Sequence, residues 1–116
     1  MRATIPVVKG EIDERAAANE AVFRSVNEAI ERGQWPGEES RDTSFRCECA
    51  QLGCTVIVRL SVNEYERVRA HPRRFIVAVG HEQPEIETVV ERRDDYLVVE
   101  KRDEAGAVAE HTDPRG

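Results

Sequence analysis

Three cysteines within eight residues, Cys47, Cys49 and Cys54, constrain this chain more than any other feature, since the rest of its 116 residues contains none. A C-x-C-x4-C pattern of thiols indicates a bound metal ion, and zinc is the first candidate. Only 5% of the residues are aromatic. A core built mainly from aliphatic side chains in a domain this small gains much from a metal clamp.

A structural zinc ion takes four ligands in a tetrahedron, so the three cysteines need a partner. Of the three histidines, His71 precedes a proline at a predicted helix end, and His111 lies in a predicted tail. His81 follows Gly80 at the end of a predicted core strand, and glycine permits the sharp turn that would direct the imidazole back to the cysteines. We therefore predict structural Zn²⁺ bound by Cys47, Cys49, Cys54 and His81.

The cysteine cluster also fits two other interpretations. The thiols are either buried small hydrophobic side chains, or they serve a thiol-based redox sensor or enzyme. The redox interpretation requires an exposed cysteine of low pKa beside a base or a cation, for which Arg46 is the nearest candidate in the sequence.

Catalysis by the metal itself is the less favoured interpretation. It would need an open coordination position and a nearby acid or base, for which Glu48 and Glu82 are the closest residues. Thiolate ligands reduce the Lewis acidity of zinc, and the chain has no phosphate-binding glycine loop and no H-E-x-x-H motif. We therefore expect no catalytic residues.

Hydrophobic periodicity predicts one long helix from Glu11 to Arg32, with Gly33 as its C-cap. We expect its apolar stripe to face the core; the stripe comprises Ile12, Ala16, Phe23, Val26 and Ile30. A capping box at Ser61–Glu64 predicts a second, short helix from Val62 to about Ala70.

Alternating or β-rich runs predict strands over 44–49, 55–60, 75–79, 85–92 and 96–99. The first two form a hairpin with the cysteines at its tip. In the first strand, Phe45, Cys47 and Cys49 are predicted to alternate onto one face, with Arg46 and Glu48 on the other. Segment 85–92 also fits a helix that begins at Pro84, and we choose the strand, paired to 96–99 through a turn at 93–95.

These elements predict an α+β fold: an N-terminal helix packed on a small, mainly antiparallel sheet, one short helix between strands, and a zinc-clamped hairpin. Residues 1–10 are predicted as an extended arm, 11–101 as a single domain, and 102–116 as a polar tail.

The charge balance bears on partners. The net charge is −6, with 23 acidic and 17 basic residues. An acidic chain is a poor nucleic-acid binder, although a cationic cluster keeps weak binding as an alternative; it comprises Arg67, Arg69, Arg73 and Arg74. No secretory signal and no apolar run of about 18 residues is present, so we expect a cytoplasmic protein with no membrane partner.

The leading interpretation is a zinc-stabilised, non-enzymatic module for regulation or protein interaction, acting on a protein partner or by self-association. An exposed apolar patch near Trp35 or along the helix that carries Phe23 would favour this role.

Two resemblances add to these inferences. Residues 47–54 are similar to the C-x-C-x4-C zinc motif that follows SET methyltransferase domains, which implies that this spacing is compatible with zinc. Nothing else in the chain resembles a SET domain, so no methyltransferase activity is carried over. The second resemblance rests on these segments: Ala18-Asn19-Glu20, Phe45-x-Cys47-Glu48-Cys49-x4-Cys54, Glu64-Tyr65-Glu66-x-Val68-Arg69, Phe75-x-Val77, Gly80-His81-Glu82, Glu87-x-Val89-Val90 and Tyr96-x-Val98-Val99-Glu100-Lys101. Through them, residues 16–101 resemble a family of small uncharacterised actinobacterial proteins. The resemblance implies no function, but it implies that the cysteines and Gly80-His81 belong to one unit.

Overall fold

The computed structural model describes residues 9–49, 51 and 53–115, with side chains from residue 20 onwards. The described part is α+β, as predicted, with three helices and two small antiparallel sheets. The helices are α1 (Lys9–Arg32), α2 (Val62–Arg69) and α3 (Asp103–His111), and the strands are β1 (Asp42–Arg46), β2 (Ile57–Ser61), β3 (Arg74–Ala78), β4 (Glu87–Arg92) and β5 (Tyr96–Lys101). One sheet is the β1-β2 hairpin, and the other has the order β3-β5-β4.

The strands form two sheets because a side chain interrupts the backbone ladder between them. The Glu48 amide donates to the Ile76 carbonyl at 2.7 Å, but the Ile76 amide donates to the Glu48 carboxylate at 3.0 Å. The segment that follows β1 therefore lies against the edge of β3, and the two sheets share one core. At its centre, the Phe45 ring stacks on Tyr65 with 4.5 Å between centroids.

The predicted hairpin is confirmed, with a shorter first strand than expected. Phe45 pairs with Val58 and Arg46 with Ile57, and β1 ends at Arg46 rather than at Cys49. The prediction that Arg46 and Glu48 share a face opposite the cysteines is wrong, because strict alternation ends with the strand. The Phe45 ring and the Glu48 carboxylate both contact Tyr65.

The local signals around α2 and β4 predict the structure well. Ser61 Oγ accepts a hydrogen bond from the Glu64 amide at 3.1 Å, and the Glu64 carboxylate accepts one from the Ser61 amide at 3.2 Å, which completes the capping box. Residues 87–92 form a strand, as chosen, and the Arg93 amide closes the following turn on the Tyr96 carbonyl at 2.9 Å.

Among the described side chains of α1, the fully buried face is polar, and of the predicted apolar stripe only Ile30 packs against the core. Val26 is 39% exposed and Phe23 and Ile30 are only half-buried, while the stripe positions 12 and 16 lie outside the described side chains. The buried residues follow helical spacing at i, i+4, i+7 and i+8, and they are Glu20, Arg24, Asn27 and Glu28.

Each buried side chain on α1 has a partner in another element, which explains how a polar face can be buried. Arg24 donates to the Pro72 carbonyl at 2.7 Å and lies 4.1 Å from the centroid of the Phe75 ring. Glu28 accepts a hydrogen bond from Arg69 at 2.8 Å. Periodicity of hydrophobic residues cannot predict such an interface, because its specificity comes from long-range pairing.

The predicted polar tail contains the nine-residue helix α3, which packs against the domain. Ala109 is buried, and its carbonyl accepts a hydrogen bond from Arg24 at 3.1 Å. The helix has no side-chain N-cap at Arg102, so tertiary contacts stabilise it and local sequence gave little sign of it. Most of the predicted arm, residues 1–8, lies outside the described residues, while Lys9 and Gly10 begin α1. The predicted domain limits stay a prediction.

Candidate metal centre

The ends of three strands position the four predicted ligands. Cys47 and Cys49 follow β1, Cys54 lies before β2, and His81 follows β3. Gly80 has φ +89°, the left-handed conformation that glycine adopts without a steric penalty. The His81 amide donates to the Ala78 carbonyl at 2.9 Å, so a tight turn returns the imidazole to the hairpin tip.

The four predicted ligand atoms lie close enough together to hold one metal ion. His81 Nδ1 lies 3.6 Å from Sγ of Cys47 and 3.6 Å from Sγ of Cys54, and all four ligand atoms lie within 4.8 Å of one another. Zn–S bonds of about 2.3 Å and Zn–N bonds of about 2.0–2.1 Å imply S–N edges of about 3.6 Å and S–S edges of roughly 3.8 Å. The structure thus brings the four residues together, and they could bind a metal ion.

Burial sets the protonation state of the thiols in the absence of a cation. Cys47 and Cys49 are buried, whereas Cys54 and His81 are half-buried. Burial raises the pKa of the Cys47 thiol, although the Ala78 amide, which donates to its sulfur at 3.1 Å, opposes the increase. Burial likewise raises the pKa of Cys49. Without a cation, these two thiols stay protonated at neutral pH, and metal binding would release their protons.

The surroundings of the cysteines give no support to the redox alternative. That alternative needs a low-pKa, exposed thiol, yet two of the three sulfurs are buried and have a raised pKa. The Arg46 guanidinium donates to the Cys54 carbonyl at 3.3 Å, and it lies 5.4 Å from the centroid of the Phe23 ring. It is therefore engaged by a backbone oxygen and an aromatic ring.

Glu48, between two cysteines, is a structural residue whose role the sequence did not reveal. Its carboxylate is fully buried and accepts hydrogen bonds from Asn27 at 2.9 Å, from the Tyr65 hydroxyl at 2.7 Å and from the Ile76 amide at 3.0 Å. Burial raises the pKa of Glu48, and these three donors oppose the increase. Neither the assumed strand alternation nor the abundance of acidic residues predicts such a site.

Asn27 is the second residue that the sequence analysis missed. Its side-chain oxygen accepts from the Arg46 amide at 2.7 Å, and its side-chain nitrogen donates to the Arg46 carbonyl at 2.9 Å. The amide of Asn27 thus pairs with the edge of β1 as a neighbouring strand would. The only sign in the sequence that Asn27 is buried is its helical spacing from Glu20 and Arg24.

The cationic cluster proposed for nucleic-acid binding is mostly neutralised within the chain. Arg69 is buried and pairs with Glu28 and Asp113. Arg73 pairs with Glu110 at 2.7 Å, and Arg74 pairs with Glu100 at 3.0 Å. Of the four arginines, only Arg67 has no ion pair with the described residues. Phosphate binding would have to compete with these internal carboxylates.

Exposed apolar side chains and the apolar character of the helices bear on which partners the domain can have. Trp35 is 76% exposed, and on α1 Val22 is 57% exposed. Among residues 9–49, 51 and 53–115, no helix is both long enough and apolar enough to span a bilayer.

Comparison with known proteins finds no matching family model, no similar curated protein and no similar solved structure.

Proposed function

We propose that Cys47, Cys49, Cys54 and His81 bind one structural Zn²⁺, which holds the β1-β2 hairpin against the end of β3. The observation that carries this proposal is the pair of 3.6 Å separations from His81 Nδ1 to two cysteine sulfurs, which match the edges of a zinc tetrahedron. Soft thiolates with one imidazole favour zinc over magnesium, calcium or manganese.

A structural role for the metal follows from its complete ligand set. Four protein ligands leave no open position for water or substrate, whereas catalytic zinc sites keep one. The ligands come from both sheets, so the metal would connect segments that share few backbone hydrogen bonds. In zinc-finger peptides, structural zinc binding contributes on the order of 10–16 kcal/mol to folding.

Native mass spectrometry before and after chelation, with circular dichroism in parallel, tests the proposal. We expect one zinc per chain, and loss of folded structure when zinc is removed. His81→Ala should weaken zinc binding, whereas His71→Ala, at an exposed histidine outside the cluster, should not. A fully folded, metal-free protein prepared without chelator would contradict the proposal.

The stabilised domain is proposed to act as an interaction module that self-associates through exposed apolar side chains. Support comes from the 76% exposure of Trp35, because a large aromatic residue is costly to leave in water. Sedimentation velocity of the zinc-loaded protein should show association that rises with concentration and weakens in Trp35→Ser. Val90→Ser, at an exposed position on β4, is the control. A monomer at every concentration would contradict self-association.

A further inference from the structure

We infer that metal binding and the docking of helix α1 are thermodynamically linked through Asn27 and Glu48, so that loss of the metal releases α1. This inference rests on the proposed zinc site and assigns a regulatory consequence to it.

The first step is the way that α1 is held. Its described buried face consists of Glu20, Arg24, Asn27 and Glu28. A polar face gains little from the hydrophobic effect, and its stability depends on the geometry of each hydrogen bond and ion pair. If one partner moves away, a buried polar group is left unsatisfied, which favours opening of the helix over small adjustments.

The second step is the contact between α1 and the metal-binding segment. Asn27 binds the backbone of Arg46, the residue before Cys47, through two hydrogen bonds of 2.7 and 2.9 Å. The same side chain donates to the carboxylate of Glu48 at 2.9 Å. Asn27 therefore contacts both the residue immediately before Cys47 and the residue between Cys47 and Cys49.

The third step is the position of Glu48. A metal ion would fix Cys47 and Cys49 on either side of it, and thereby fix the carboxylate among its three donors. Because Glu48 is fully buried, this arrangement tolerates little displacement. Removal of the metal takes away one constraint on the segment that carries Cys47 and Cys49, which would lower the cost of displacing Glu48 from its donors and Asn27 from its partners.

Linkage is reciprocal: the factor by which zinc favours the docked helix equals the factor by which docking favours zinc. Release of α1 would also withdraw Arg24 from the face of Phe75 and uncover apolar surface. The module would then present different surfaces in its metal-bound and metal-free states.

Hydrogen exchange of the full chain, followed by mass spectrometry with and without zinc, tests the linkage. We expect zinc removal to increase exchange first in α1 and in 45–49, while β5 keeps its protection longer. Competition with a chelator should show about 10- to 100-fold weaker zinc binding by Asn27→Ala, the range for residues that support metal ligands. Ser25→Ala, at an exposed position on α1, should bind zinc like the unmodified chain.

The outcomes separate this inference from the proposed function. If zinc binds but α1 and β5 lose protection together, or if Asn27→Ala binds zinc as tightly as the unmodified chain, the linkage is wrong and the zinc site remains. If no zinc binds, the proposed function itself fails.

Discussion

At the scale of one residue, Glu48 is a buried acid that accepts hydrogen bonds from three different segments of the chain. Within the described residues its carboxylate has three hydrogen-bond donors and no ion-pair partner in contact. A buried acceptor that loses a donor is left unsatisfied away from water, so each of these hydrogen bonds is costly to break. The phenol of Tyr65 supplies the shortest side-chain bond to it, 2.7 Å.

Tyr65→Phe isolates that hydroxyl, because phenylalanine keeps the ring that stacks on Phe45. We expect the free energy of unfolding to fall by about 1–3 kcal/mol, the cost of leaving a buried acceptor without one of its donors. Denaturant titration of the zinc-loaded protein measures it. Tyr96→Phe is the matched control, since the Tyr96 hydroxyl donates at 3.0 Å to Glu64 in a more exposed setting, and its loss should cost less. Equal losses would contradict a special role for Glu48.

The four candidate ligands could be chosen from the sequence because cysteine and histidine are rare here and their spacing is informative. The residues that position them could not. Glu48 and Asn27 belong to common residue types, and their importance arises from partners up to 28 positions away in the chain. Local sequence does not encode that pairing.

The turn after β3 shows at the scale of elements how one glycine sets the position of a ligand. Gly80 has φ +89°, and a Cβ atom at this position would meet nothing within 4 Å. Any cost of a side chain there is therefore conformational. Since the turn directs His81 to the cysteines, that cost should also reduce metal affinity.

Gly80→Ala should lower zinc affinity about tenfold, because a left-handed alanine costs roughly 1–2 kcal/mol, and 1.4 kcal/mol corresponds to a factor of ten. Gly37→Ala is the matched control: Gly37 has φ +90° with equally open space, but lies outside the cluster. Both variants should lose stability, and only Gly80→Ala should lose zinc affinity in chelator competition. If Gly80→Ala and Gly37→Ala bind zinc with equal affinity, the conformation of the Gly80 turn does not contribute to metal binding.

Element types followed from local patterns: the capping box before α2, the β-rich runs of β2 and β5, and the long helix α1. Two features did not follow. The buried face of α1 is polar because of ion pairs made by tertiary structure, and α3 lacks a side-chain cap. Both depend on contacts between the N- and C-terminal parts of the chain.

The polar face of α1 predicts a pH dependence. Burial raises the pKa of Glu20 from its ordinary value of 4.5 to about 7, although the neighbouring Lys101 opposes the increase. The folded state therefore binds this proton more tightly than the unfolded state. The stabilisation that the raised pKa of Glu20 adds to the folded state is fully present below pH 4.5 and declines as pH rises towards 7.

Glu20→Gln removes that titration. We expect the unfolding free energy of the unmodified chain, minus that of Glu20→Gln, to fall by up to about 3 kcal/mol between pH 5 and pH 8. The difference cancels the pH dependence that the zinc site adds to both proteins. Urea titrations at each pH measure it, with Glu104→Gln on the exposed side of α3 as the control. A difference that stays constant or increases would contradict this account of Glu20.

At the scale of the whole molecule, a small domain with few aromatic residues relies on polar connections between its parts, and the proposed metal ion would add another. Ion pairs join α1 to α2 through Glu28 and Arg69, and α1 to β5 through Glu20 and Lys101. The Cys/His cluster joins the hairpin sheet to the three-stranded sheet. If zinc occupies it, the metal completes the set of connections that hold the two sheets on one core.

Zinc-edge X-ray absorption of the purified, metal-loaded protein tests this central claim most directly, because it reports the ligands of the ion itself. We predict a four-coordinate shell of three sulfur atoms at about 2.3 Å and one nitrogen atom at about 2.0–2.1 Å. His81→Ala should replace the imidazole scattering and leave the sulfur shell. A shell of oxygen atoms, or fewer than three sulfur ligands, would contradict the account.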